Sequence, residues 1–225
     1  MGKWKPDAIL PYLVTCPVDF TGEIPKYVSL TSEYCSTVTN KFKVIDNHPP
    51  DGVKKDFVVV VKAMAFENRN IVIRFIEWVE MLKILGCEKI IIFERIVHPD
   101  LMMTLNFYQK QGFMDVYRFV EPEEITSNTY TNIQSFMLQQ MQHTDSFYRA
   151  RNLYKYFVII DVDELIIPMR PEDKTWHDLV TKRYNMNRGT VSFMSLNTIF
   201  STSANPSISD VSDNFYMLKH TEVKS

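Results

Sequence analysis

The chain has 225 residues, 45% of them hydrophobic and 23% charged, with 25 Lys and Arg against 27 Asp and Glu for a net charge of −2. That balance belongs to a globular protein; it excludes a disordered or fibrous chain and gives no electrostatic footprint for nucleic acid or an anionic membrane surface. The six glycines (Gly2, Gly22, Gly52, Gly86, Gly112 and Gly189) are widely separated, which rules out the dinucleotide fingerprint and the P-loop, since both bring backbone amides against phosphate through clustered glycines.

Residues 1–53 are rich in Pro, Ser, Thr and Asn, with β-prone pieces such as Lys26 to Leu30, and they close at the turn cluster Asn47 to Gly52. They read as a loop-rich lead segment before a domain over 54–225. The three cysteines are Cys16, Cys35 and Cys87, and no C-x-x-C is present, which speaks against structural zinc and thioredoxin chemistry. Cys16 and Cys35 are the pair placed to staple the lead segment, and Cys87 reads as a buried small hydrophobe. No signal peptide is visible, and no run approaches the roughly 18 apolar residues of a spanning helix.

From Phe57 the pattern changes. Phe57 to Val61 is a continuous apolar run, the mark of a strand covered on both faces, and Lys62 follows at its end. Residues 70–85 have helical period, with Asn70 as N-cap and Gly86 as the stop. Lys89 to Phe93 is a second strand, Pro99 to Gln111 a helix ending at Gly112, and Phe113 to Val120 a third strand. A longer helix follows with Ile133, Met137, Met141, Thr144 and Tyr148 on its core stripe. Tyr156 to Ile160 is the most hydrophobic strand, Trp176 to Tyr184 a short helix, Thr190 to Phe200 a further strand, and Ser201 to Asn214 a loop. Strands alternating with helices predict an α/β layer with a mostly parallel sheet.

The sharpest feature is that the strand Tyr156 to Ile160 runs directly into Asp161-Val162-Asp163-Glu164. Strand alternation would put Asp161 and Asp163 on one side and Glu164 on the other. Ligands of open α/β sheets bind beyond the carboxyl ends of the strands. Two carboxylates there repel unless a cation lies between them, and their oxygens suit a hard ion, Mg²⁺ or Mn²⁺. Such an ion can bridge diphosphate oxygens and replace a glycine cradle. The plain alternative is a solvated acidic turn capping the next segment.

Other residues also admit a bland and a functional reading. Lys62 is a solvated strand-end lysine or a contact to uridine or phosphate. Arg149 pairs with Asp145 at i, i+4, or reaches a donor phosphate or ribose. Trp78 reads as core among Phe75, Val79 and Leu82. The histidines show no zinc spacing, and His98 reads as a turn residue. An inverting transfer needs a base for the acceptor hydroxyl; no residue is identified for it, and Asp210 and Asp213 are candidates by location alone.

These stretches together resemble glycosyltransferase family 92. They are Asp56 to Lys62, Phe75 to Gly86 with its Glu77-Trp78 pair, Val97-His98-Pro99, Tyr108 to Phe113, and Tyr154 to Glu164; Thr15-Cys16-Pro17 and Val28-Ser29-Leu30 in the lead segment are also similar. The resemblance implies a GT-A (Rossmann-like) fold and a metal-dependent, inverting transfer of a hexose, galactose, from UDP-galactose to a glycan or glycoprotein acceptor. It implies Mn²⁺ (or Mg²⁺) on Asp161 and Asp163, with Asp161 also facing the donor ribose and Glu164 structural. It further implies a lumenal domain in the Golgi membrane, held by an anchor that the chain itself lacks, and an oxidising compartment would suit a Cys16–Cys35 bridge. Two departures stand out. The family has Cys where Val60 stands and another near Ser146, and it continues past Ser225 with a His-containing segment for which His220 is the nearest counterpart. The chain therefore reads as a domain truncated at its C-terminus. Two other functions remain open: a non-catalytic remnant that binds donor or partner, and a divalent-metal phosphoryl-transfer enzyme or hydrolase on the same aspartates.

Overall fold

The computed structural model describes residues 12–18, 24–120, 132–183, 210, 215–217 and 219 (backbone only at 132–135 and 183). The expected strand over 190–200, Asp213 and His220 lie outside the described residues. In the lead segment Tyr27–Val28 (β1) pairs antiparallel with Phe42–Lys43 (β2). Cys16 and Cys35 are exposed free thiols with no bridge between them. Asn40 ties the segment instead, its side chain donating to the Leu30 carbonyl at 2.6 Å and accepting from the Leu30 amide at 2.8 Å. Cys87 is buried, and burial pushes its thiol up to about 12.

The domain is built on Lys55–Phe66 (β3), Val72–Leu85 (α1), Lys89–Val97 (β4), Pro99–Lys110 (α2), Met114–Arg118 (β5), Asn132–Ala150 (α3), Tyr154–Ile159 (β6) and Trp176–Arg183 (α4). The four strands form one parallel sheet in the order β5-β4-β3-β6. The fold is α/β and GT-A-like. Parallel neighbours need crossovers, and α1 and α2 supply them for β3–β4–β5. The chain then returns to lay β6 on the other side of β3. The topological switch point therefore lies between β3 and β6, where open α/β sheets place their ligands.

Alternate residues of β3 feed two cores. Phe57, Val59 and Val61 pack with Phe75, Trp78, Val79 and Leu82 of α1, Leu101 and Leu105 of α2, and Trp176 of α4. Val58 and Val60 pack with Ile91 and Phe93 of β4 and with Leu138 and Ala150 of α3. Burying a side chain of this size is worth about 1.5–3 kcal/mol, so β3 and β4 carry much of the sheet's stability.

Several local expectations change. Helix α1 is capped at Ile71 rather than Asn70, although Asn70 still accepts from the Val72 amide at 3.1 Å. Gly86 ends it in the left-handed region at φ 99°, with its amide directed at the carbonyls of Leu82 and Lys83. Strand β3 does not stop at Lys62; it runs on to Phe66 through a register shift between Val61 and Met64. Strand β6 is the edge of the described sheet rather than a strand buried on both faces, and Ile159 is 51% exposed. The core face of α3 is Leu138, Gln142, Ser146 and Ala150, at steps of four, and Met141 is 38% exposed. The apolar stripe misleads here because two of the buried residues are polar. Gln142 is needed inside: its Oε1 accepts from the Ala63 amide at 2.8 Å, in the stretch of β3 where the register shifts.

Candidate functional site

The site is set by the β3–β6 ladder. Its register runs from Lys55 opposite Tyr154 to Val60 opposite Ile159. Two residues further on, the same offset brings Lys62 opposite Asp161. The Lys62 ammonium donates to Asp161 Oδ2 at 2.5 Å, with both side chains partly exposed.

After Ile159 the chain leaves the strand and turns. The Glu164 amide donates to the Asp161 carbonyl at 3.0 Å, and the Asp161 amide donates to Glu164 Oε2 at 2.9 Å. The three acids therefore sit on a tight turn, not on an extended strand, and strand alternation does not decide where they point. Glu164 spends one carboxylate oxygen closing the turn. Asp163 is exposed at the corner and makes no hydrogen bond or ion pair with any described residue. Two buried indoles hold the turn and the chain after it: Trp78 Nε1 donates to the Glu164 carbonyl at 2.8 Å and Trp176 Nε1 to the Ile166 carbonyl at 2.7 Å. The core position of Trp78 thus fixes the acidic turn.

The sequence reading missed His143. It lies on α3 next to Gln142, and its Nε2 is buried without a hydrogen-bond partner among the described residues. Burial holds its pKa below the usual imidazole value; the Asp161 charge opposes this and the Lys62 charge adds to it. Those couplings put the ring within the electrostatic reach of the Lys62–Asp161 pair. No motif marks it. The one available signal was a polar residue on a helix preceding the acidic strand.

Arg149 is not brought to this turn. Its Nε donates to Asp145 Oδ2 at 2.6 Å and its guanidinium stacks over Tyr117 of β5, 4.4 Å from the ring centre. Burial works against its charge, but Asp145 and Tyr117 outweigh that and raise its pKa. In the described sheet β5 is the edge opposite β6, about 14 Å away at three strand spacings. Asp210 is exposed. A groove between α1 and α2, lined by Asn70, Arg74, Asp100, Phe107 and Tyr108 among others, takes in none of the acidic-turn residues.

Among the described residues no group of three or more His, Cys, Asp or Glu converges as a metal cage. The donor chemistry still fits a hard divalent ion. Asp161 already holds a cation at hydrogen-bond distance, and Asp163 offers a second carboxylate with no competing partner among the described residues. Magnesium-like ions are commonly held by one or two carboxylates, with phosphate and water completing the shell.

The sequence profile of glycosyltransferase family 92 matches residues 55–224. The chain belongs to glycosyltransferase family 92. No curated protein and no solved structure matches it at a significant level. Membership makes the domain a glycosyltransferase, working between a donor and an acceptor, and suggests a nucleotide sugar as donor. The match begins where β3 begins and takes in both Lys62 and the acidic turn. Among the described residues no helix of this family 92 domain is long and apolar enough to cross a membrane.

Proposed function

We propose that this family 92 domain transfers a hexose, galactose, from UDP-galactose to a glycan acceptor with inversion, using Mn²⁺ or Mg²⁺ held by Asp161 and Asp163. The observation that carries the reading is the acidic turn at the carboxyl end of β6, on the switch point and fixed to the core by Trp78. When bound, such an ion would supply Lewis-acid neutralisation of the departing diphosphate. Asp161 and Asp163 present hard oxygens at a rigid position. Lys62 adds a positive charge within reach of the phosphates, and Glu164 keeps the turn closed. Arg149 joins the donor in this reading only by leaving Asp145 and Tyr117. The Golgi lumen is the compartment in this proposal; it rests on the family likeness, because the free Cys16 and Cys35 lend it no support.

Turnover of UDP-galactose with and without a glycan acceptor tests the assignment. Transfer predicts UDP release that needs both acceptor and Mn²⁺, and a new glycosidic bond of the opposite anomeric configuration to the donor. UDP release at the same rate without acceptor would mean hydrolysis instead.

A further inference from the structure

The Lys62–Asp161 pair does more than mark the site. Lys62 Nζ lies 2.5 Å from Asp161 Oδ2, so this ammonium occupies one of the two oxygens of a carboxylate that a metal at the turn would use. Two cations held by one carboxylate repel each other. We propose that the Lys62 ammonium and the divalent cation are alternative occupants of the Asp161 carboxylate, and that metal binding frees Lys62 for the donor's diphosphate. This rests on the metal reading above.

Three features make the exchange workable. The pair is solvent-accessible, with side-chain exposures of 46% and 34%, and exposed pairs are weak enough to be exchanged. The lysine backbone is anchored in β3, whose ladder to β6 is paired as far as Val60 and Ile159, two residues short of Lys62 and Asp161. The freed ammonium therefore stays within one side-chain swing of the turn. Among the described residues the neighbouring groups are engaged elsewhere: Glu164 Oε2 is committed to the Asp161 amide and Arg149 to Asp145.

The exchange has an unusual signature: the same lysine opposes the metal and assists the donor. Lys62→Met keeps the aliphatic stem and removes the charge. Titration of the full chain with Mn²⁺ alone, followed by calorimetry or by the electron paramagnetic resonance of free Mn²⁺, should show Lys62→Met binding about three- to tenfold tighter than wild type. At saturating Mn²⁺ the same variant should bind UDP more weakly than wild type. Asp161→Asn and Asp163→Asn should lose Mn²⁺ binding, with circular dichroism confirming that each is folded. If Lys62→Met binds Mn²⁺ no better than wild type while both Asp variants lose it, the exchange is wrong and the metal site stands. If Mn²⁺ binding is indifferent to both aspartates, the metal reading and the exchange fall together.

Discussion

The two ends of the β3–β6 ladder carry the same pair of residue types in the same register and put them to different use. At the amino end Lys155 donates to Asp56 Oδ1 at 2.6 Å, His177 Nδ1 lies 3.4 Å from Asp56 Oδ2, and Glu88 accepts from the amides of Asp56 and Phe57. Both Asp56 oxygens are engaged, so this end closes on itself. At the carboxyl end Lys62 meets Asp161, but Asp163 has no partner among the described residues and His143 Nε2 is buried unpaired. A fold that needed only to finish its sheet could have ended both ladders in the first way. Polar groups left over at a switch point are what a ligand site requires.

The largest effect expected is on the support beneath the carboxyl end. Trp78 is fully buried and is the hydrogen-bond donor to the Glu164 carbonyl. Trp78→Ala should cost about 3–5 kcal/mol in urea unfolding, the usual range for an aromatic lost from a core. Trp78→Phe keeps most of the volume and leaves the carbonyl unpaired, and it should cost nearer about 1–3 kcal/mol. A Phe variant as stable as wild type would show that the indole bond does not hold the turn.

The next effect separates the two ends directly. Asp163→Ala should weaken Mn²⁺-dependent UDP-sugar binding by about tenfold or more, equivalent to about 1.4 kcal/mol, with little change in melting temperature because the side chain is exposed and has no partner among the described residues. Asp56→Ala should do the reverse, leaving donor binding intact and lowering stability by about 1 kcal/mol or less, as expected for an exposed pair. Loss of donor binding in both variants would erase the distinction between the ends.

Much of the scaffold was legible because it depends on local pattern. The apolar runs at Phe57 to Val61 and Lys89 to Phe93, and the Gly86 stop, follow from sequence spacing and steric rules that need no partner. The acidic turn was legible as chemistry, since three carboxylates after an apolar run invite a cation. Its geometry was not, because closure depends on Glu164 folding back to the Asp161 amide. The Lys62–Asp161 contact joins residues far apart in the chain, and only the return of β6 to the side of β3 brings them together. The inward face of α3 was misread for a related reason. Gln142 is buried to serve a backbone amide of β3, and that demand is invisible from α3 alone.

A smaller effect concerns that same face. Ser146 is fully buried with a hydroxyl that has no partner among the described residues, near the position where the family resemblance implies cysteine. Ser146→Ala removes a desolvated polar group and should stabilise the protein by about 1 kcal/mol in thermal or urea unfolding. Ser146→Ala that destabilises would mean the hydroxyl has a partner in solution, such as a bound water.

The smallest effect is a pH dependence that reports on the carboxyl end. Burial lowers the pKa of His143 in the native protein, whereas in the unfolded chain it titrates near its ordinary value of about 6.5. Above that value neither state binds the proton and the native protein keeps its full stability. As pH falls below it, the unfolded chain takes up a proton that the native site refuses, and stability declines until the native imidazole also protonates. His143→Leu lacks this linkage, so its melting temperature relative to wild type should rise as pH is lowered from 7.5 to 5.5. The neighbours set the depth of the effect with opposite signs. Asp161 favours the imidazolium and Lys62 opposes it, so Asp161→Asn should steepen the decline and Lys62→Met should flatten it. The same ordering in melting curves would place His143 in the field of the Lys62–Asp161 pair, and equal slopes in all three proteins would remove it from the site.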